Sequence, residues 1–224
     1  MRQPLRSKLK RVAQRGHYDQ ATIHAILDEG WVAHVSFADD SGQPFVIPMA
    51  YVREGPVVYL HGSIASRLLS RLGEGIDTCL CVTLIDGLVL ARSQFHHSMN
   101  YRSVVAFGKA VPIIDSAEKA AIFARFVDAL IPGRAGEART ADRNEINATA
   151  LLRVDIVEAS AKIRSGGPKD DPADRDLPIW AGVIPLTLSA GVPIPANDVC
   201  PGQPIPESVR CMLAAGEEAP TTAG

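Results

Sequence analysis

Val57-Val58-Tyr59-Leu60-His61-Gly62-Ser63-Ile64-Ala65-Ser66-Arg67-Leu68-Leu69 joins an apolar strand to an amphipathic helix. The strand covers Val57–His61. Ile64, Leu68, Leu69 and Leu72 fall on one side of the helix, and Gly73 follows as its stop signal. Ser63 is placed to cap this helix, with Ser66 and Arg67 in its first turn. Free N–H groups and the positive end of the helix dipole attract anions there. Two hydroxyls and a guanidinium add charge-assisted hydrogen bonds. The joint reads as a phosphate site. From these residues alone, an ordinary capped helix with a surface arginine accounts for it equally well.

Upstream, the apolar period is two. Trp31, Ala33, Val35 and Phe37 alternate with Val32, His34, Ser36 and Ala38. Asp39-Asp40-Ser41-Gly42 turns the chain into a strand over Pro44–Val52, and Glu54-Gly55-Pro56 turns it again into Val57. Three strands joined by short turns make an antiparallel meander. Before it, Asp19 caps a short helix carrying Ile23, Ile26 and Leu27, which Gly30 ends.

Downstream, Asp77–Ile85 is a strand. Asp86-Gly87 reads as a hairpin turn, with Leu88–Ser93 the return strand. A polar interruption over residues 94–101 follows, then a strand over Arg102–Ile113 with Gly108 at a bulge. Asp115 and Glu118 have capping-box spacing ahead of a helix that buries Ile122, Phe123, Phe126, Val127 and Leu130. A short helical segment near Asp142–Asn147 precedes a long strand over Ala150–Ile163, and Trp180–Leu188 is a final apolar stretch. About seven hairpin-connected strands with few helices point to an antiparallel β-barrel with accessory helices. A barrel this small holds its ligand outside, at a subunit interface.

The chain divides into a basic arm (1–16), one domain (17–190) and an irregular proline-rich tail (191–224). The arm holds Arg2, Arg6, Lys8, Lys10, Arg11 and Arg15 and no acid. It reads either as an anion-binding arm or, as such runs more often are, as a solvated tail. A net charge of −2 over 224 residues argues against nucleic acid as the main partner. No apolar run reaches the roughly 18 residues of a membrane span, and the N-terminus lacks a secretory apolar core. The four cysteines show no CxxC pair, which argues against zinc and for reduced thiols in the cytoplasm.

Four segments resemble the FMN-binding split barrel of the pyridoxamine 5′-phosphate oxidase-like proteins, in the branch of flavin-nucleotide-binding and nitroimidazole-resistance proteins. They are Pro48-Met49-Ala50-Tyr51-Val52, His61-Gly62-Ser63 with Ser66-Arg67, Phe95 to Val105, and Pro178 to Leu186. The resemblance implies a homodimer with two FMN molecules at its interface. It implies that Pro48, Met49, Ala50, Tyr51 and Val52 lie along the isoalloxazine ring, often through backbone hydrogen bonds. Ser63, Ser66 and Arg67 would hold the phosphate, with His61 and Gly62 cofactor-binding residues of the same stretch. Asn100, Tyr101, Arg102 and Ser103 would add polar groups, and Trp180 would approach the flavin or pack at the interface. The chain departs from authentic pyridoxamine 5′-phosphate oxidase in two ways. Arg67 is followed by Leu68-Leu69 rather than a second cation, and Arg210 stands isolated in the tail.

An FMN-dependent oxidoreductase acting on a small acceptor, with NADH or NADPH as donor, is therefore the leading expectation. No GxGxxG accompanies a strand, so the donor would bind without a Rossmann fingerprint. His61 is the titratable residue placed to contact the flavin or to give a proton to substrate, the plainer reading being that it, like His96 and His97, only shapes its loop by hydrogen bonding. A flavin carrier or redox sensor is the non-catalytic alternative. A third reading puts haem in the barrel, with His61, His96 or His97 as axial ligand.

Overall fold

The structure, a computed structural model, describes residues 6–217. Among them the strands are β1 (Gly16–His17), β2 (Val32–Ala38), β3 (Pro44–Glu54), β4 (Val57–Ser63), β5 (Asp77–Leu90), β6 (Ser98–Pro112), β7 (Thr149–Arg164) and β8 (Gly182–Pro185). All pairings are antiparallel, in the order β1-β7-β4-β3-β2-β5-β6, with β6 also pairing β7. Strands β2–β7 therefore close into a six-stranded barrel, and β8 adds to β5 beyond it. This is the mainly β, antiparallel barrel architecture expected.

Alternation fills the barrel. Ala33, Val35 and Phe37 of β2 point inward, as do Leu80 and Val82 of β5, and Val104, Ala106 and Ala110 of β6. On β7 the inward set is Leu152, Val154 and Ile156, then Ala159 and Ala161. The switch from even to odd positions marks a β-bulge, where the register moves from Gly108↔Ile156 to Phe107↔Glu158. The extra residue is thus Val157 of β7, not Gly108. Gly108 is the close-approach partner: a Cβ there would lie 2.4 Å from the Asp155 carbonyl oxygen.

Helix α1 (Gln20–Glu29) closes one end of the barrel with Ile23, Ile26 and Leu27, and the Asp19 carboxylate accepts the Thr22 N–H as expected. Gly30 has an ordinary extended φ of −79°. It is needed because a Cβ would sit 2.5 Å from Val82 Cγ1 and 2.9 Å from the Tyr51 hydroxyl. Helix α2 (Arg67–Gly73) buries Leu68, Leu69 and Leu72, whereas Ile64 precedes it and is 62% exposed. Gly75, not Gly73, takes the left-handed conformation after the helix, at φ +79°.

The Asp86-Gly87 hairpin is overturned. Strand β5 runs straight through both residues, with an irregularity between Ile85 and Gly87. The glycine lets another strand approach: a Cβ on Gly87 would meet the Ile184 carbonyl oxygen of β8 at 2.9 Å. Strand β6 accordingly begins at Ser98 rather than Arg102.

The compact units differ from the three expected segments. One holds the chain through Ile114 with Ala148–Thr187; the other holds Asp115–Asn147 and the chain from Leu188. In the second, α3 (Ser116–Leu130) is capped by Asp115 and buries Ile122 and Phe126, while Leu130 is 49% exposed. Helix α4 is Arg143–Ala148. The tail is irregular only as far as α5 (Glu207–Glu217). There Glu137 accepts hydrogen bonds from the Ser208 N–H and hydroxyl, so a carboxylate from outside the helix satisfies donors in its first turn. The arm is likewise ordered where it is described. Ser7 is buried, and its N–H and hydroxyl both donate to Glu158 Oε1. Arg2 lies outside the described residues.

Candidate functional site

The joint after β4 is built differently from the sequence expectation. Ser63 is the last residue of the strand, and its Oγ accepts the Ala65 N–H. Ser66 is the N-cap, accepting from Leu69 N at 3.4 Å. Arg67 opens the helix. At seven residues α2 is less than two turns long, so its dipole adds little, and anion affinity rests on the side chains. The Arg67 guanidinium lies 4.1 Å over the Phe45 ring of β3, a cation–π contact. Phe45 itself stacks on Phe37 at 5.1 Å. Among the described residues Arg67 makes no hydrogen bond and no ion pair; Asp39 feels it at longer range, which helps hold that carboxyl below its usual range, behind the larger effect of Ser41. The result is an aimed, exposed cation with its donors unused. Phe45, which aims it, carried no signal in the sequence.

Strand β3 supplies an open edge beside this cation. It pairs β2 from Pro44 to Ala50 but pairs β4 only from Tyr51 to Glu54. Its β4-facing backbone between Pro44 and Ala50 therefore has no strand partner, and backbone groups left this way need another acceptor or donor. Of the five residues expected along a ring, Pro48, Ala50 and Val52 face outward. Tyr51 does not: it is buried, and its hydroxyl donates to the Leu27 carbonyl oxygen. Burial pushes its pKa well up. Met49 packs against the core. Gly62 also faces inward, where a Cβ would lie 3.0 Å from Leu69 Cδ1.

His61 is half-buried on the outer side of β4, opposite Leu151 of β7. Burial holds its pKa below the usual histidine value, so the imidazole is neutral at pH 7. It can exchange hydrogen bonds with a ligand but is poorly suited to carry a resident positive charge.

The segment Asn100–Ser103 is not gathered into the same place. Along the barrel wall, Ala50 pairs Val32 of β2, and β5 stands between β2 and Ser103 of β6. Three strand spacings make about 14 Å around the wall from Ala50 to Ser103, on the opposite side of the barrel, and Asn100 lies further along β6. Arg102 is also spent. Its guanidinium forms ion pairs with Glu29 and with Asp86, the latter at 2.7 Å. Asn100 Oδ1 accepts from Arg164. Tyr101 pairs with Ile85 and Arg164. Trp180 is 66% exposed just before β8, its ring folded over Gly182. His96 lies 3.3 Å from Asp171, and His97 Nδ1–H donates to the Ser93 carbonyl oxygen at 2.9 Å. These two histidines sit in the loop leading into β6, apart from His61, and no cluster of three metal-ligating side chains occurs among the described residues.

A family model described as pyridoxamine 5′-phosphate oxidase matches residues 19–163. Among solved structures, the flavocytochrome Anf3 from Azotobacter vinelandii is 44% identical, covering 91% of this chain and 94% of its own, with a TM-score of 0.84. The FAD and heme binding protein from Mycobacterium smegmatis is 36% identical, covering 88% and 97%, also at 0.84. A putative 5-nitroimidazole antibiotic resistance protein from Bacteroides thetaiotaomicron, 20% identical over 66% of this chain and 87% of its own at a TM-score of 0.55, shares the fold. No curated protein matches the chain. No helix among the described residues is long and apolar enough to cross a membrane.

Proposed function

The chain belongs to the pyridoxamine 5′-phosphate oxidase family, and from that premise we propose that it is a flavin-binding redox protein. The observation that carries this reading is Arg67, a guanidinium without an acid partner among the described residues, held against Phe45 beside the open edge of β3. Arg67 and the Ser66 and Ser63 hydroxyls suit the phosphate that FMN and FAD share. The unpaired backbone between Pro48 and Ala50 suits the polar edge of an isoalloxazine ring, with Ala50 and Val52 as apolar floor. When bound, the flavin supplies one- or two-electron transfer, and the chain supplies placement and electrostatics. The name of the 36% identical relative favours FAD over the FMN expected from sequence.

Two finer parts of the proposal rest on the spacing within the barrel wall. Because Asn100 and Ser103 stand strands away from Arg67, they serve the same flavin only if a second copy of the chain brings its own set across a two-fold axis. A homodimer with the flavin at its interface answers that geometry. The reaction is then an oxidoreduction of a small molecule, with NADH or NADPH as donor. It is not oxidation of pyridoxamine phosphate, because Leu68 and Leu69 stand buried where a second cation would be needed.

Haem is a second group to test, since both of the more similar relatives carry names that include a cytochrome or heme. Of the three candidate ligands, His97 fits best: the Ser93 carbonyl fixes one ring nitrogen and leaves Nε2 for iron.

The absorption spectrum of the purified protein tests both groups. Bands near about 370 and 450 nm indicate flavin, and an intense Soret band indicates haem. Chromatography of the released flavin separates FMN from FAD. Protein that binds neither flavin after reconstitution overturns the proposal. Failure of both NADH and NADPH to bleach the flavin anaerobically removes the nicotinamide-linked version.

A further inference from the structure

We propose that the basic N-terminal arm closes a second ligand site, a cavity on the outer face of β6 and β7 that takes a small oxyanion on an apolar body. The cavity holds about 300 Å³ and is walled on one side by residues 6–9. That is the lower end of the roughly 300–1,000 Å³ of small-molecule sites. The cavity shares Ser103 with the set proposed to serve a partner's flavin, but its cations are Lys8 and Lys162 rather than Arg67.

The arm is fixed at both ends of the cavity. Glu158, 5% exposed, accepts the Ser7 N–H at 2.7 Å and its hydroxyl at 3.0 Å. Ser160 donates back to the Ser7 carbonyl oxygen at 2.8 Å, and the Leu9 N–H donates to the Tyr18 hydroxyl at 3.0 Å. The wall is thus preformed, and a ligand has little ordering to impose.

The lining is cationic without an acid. Arg6, Lys8 and Lys162 line the cavity with no aspartate or glutamate among its residues. Arg6 is partly compensated: it stacks 4.7 Å over Phe107 and lies 3.9 Å from both Asp77 and Glu158. Lys8 and Lys162 form no ion pair among the described residues. Lys8 and Lys162 therefore bring two positive charges to the lining of a partly enclosed space, where electrostatic attraction exceeds that in open water. Val105, Phe107 and Leu9 supply apolar wall, so an anion carrying a ring or short chain gains more than a bare one.

The test is calorimetric titration of the protein as purified with phenyl phosphate, alongside inorganic phosphate. The expected result is saturable binding of phenyl phosphate, about tenfold or more tighter than inorganic phosphate, weakened about tenfold or more in the Lys8→Gln/Lys162→Gln variant. The single variant Lys8→Gln gives an intermediate affinity and stands in if the double variant misfolds. In Arg67→Ala the affinity stays at the wild-type value. Absence of saturation, equal affinity in the lysine variants, equal affinity for the two anions, or loss of binding in Arg67→Ala each overturns the proposal.

Discussion

Arg67 and Arg102 lie in the two polar segments that the resemblance assigns to one cofactor, and they end in opposite electrostatic states. Arg102 meets Glu29 at the end of α1 and Asp86 on β5, so its guanidinium is neutralised within the chain and its proton is held more tightly than usual. Among the described residues Arg67 meets the face of Phe45 and keeps its donors. Arg67→Ala should weaken flavin binding by about 10- to 150-fold, the equivalent of about 1.5–3 kcal/mol for one charge-assisted contact. Fluorescence titration of the apoprotein reads this, and unchanged affinity removes Arg67 from the site. Tyr51→Phe loses the hydrogen bond to the Leu27 carbonyl and should cost about 0.5–1.5 kcal/mol in urea unfolding while leaving flavin affinity unaltered.

His61 and His24 give the residue scale a pH dependence. Burial lowers both pKa values, and His24 Nε2 is buried without a hydrogen-bond partner among the described residues. Each imidazole therefore binds a proton less readily folded than unfolded. As pH falls through the unfolded value of about 6.5, the unfolded state takes up more protons and stability drops. The loss is complete once pH passes below the depressed folded values. Melting temperatures measured from pH 8 down to pH 5 should fall less steeply in His61→Gln and His24→Gln than in the wild type. Parallel profiles would rule out these two as the source.

At the scale of elements, two glycines decide which strands meet. Asp86-Gly87 has the composition of a two-residue hairpin turn, yet it lies inside β5. The local pattern is the same in both cases, because glycine is tolerated for a turn conformation and for close backbone approach alike. Here the second reason holds, since β8 arrives from about a hundred residues later in the chain to pair at Gly87. Gly87→Val should leave the barrel folded and release β8, seen as faster amide hydrogen exchange at Val183 and Ile184. Protection as in the wild type would contradict the close-approach explanation. Gly108→Val is the harsher change, because it drives a side chain into the Asp155 carbonyl beside the β7 bulge. Overpacking of this kind costs about 1–3 kcal/mol or more.

For the molecule as a whole, the barrel order, the α1 cap and the arm are one construction. The arm looked from its charge like a solvated tail, because six cations without an acid offer nothing to bury. Its anchor is instead Ser7, an inconspicuous residue whose partner Glu158 comes from the other half of the chain. Glu158→Ala should cost about 1.5–3 kcal/mol for the charge-assisted bonds lost and expose the arm to limited proteolysis near Lys8. Retained protection would place the anchor elsewhere.

What the sequence determined alone was everything that depends on near neighbours. Alternation set the strands, Asp19 and Asp115 set two helix starts, and the ordered segments pointed to an antiparallel barrel of this family. The strand-to-helix joint at Leu60–Arg67 was legible, with the cap at Ser66, about one turn later than expected. Only the tertiary structure decided which charges stay free. That outcome depends on what lies across the barrel from each one: Phe45 for Arg67, Glu29 and Asp86 for Arg102, Glu158 for the arm. Those partners are separated by up to about 150 residues of chain, a distance over which local periodicity carries no information.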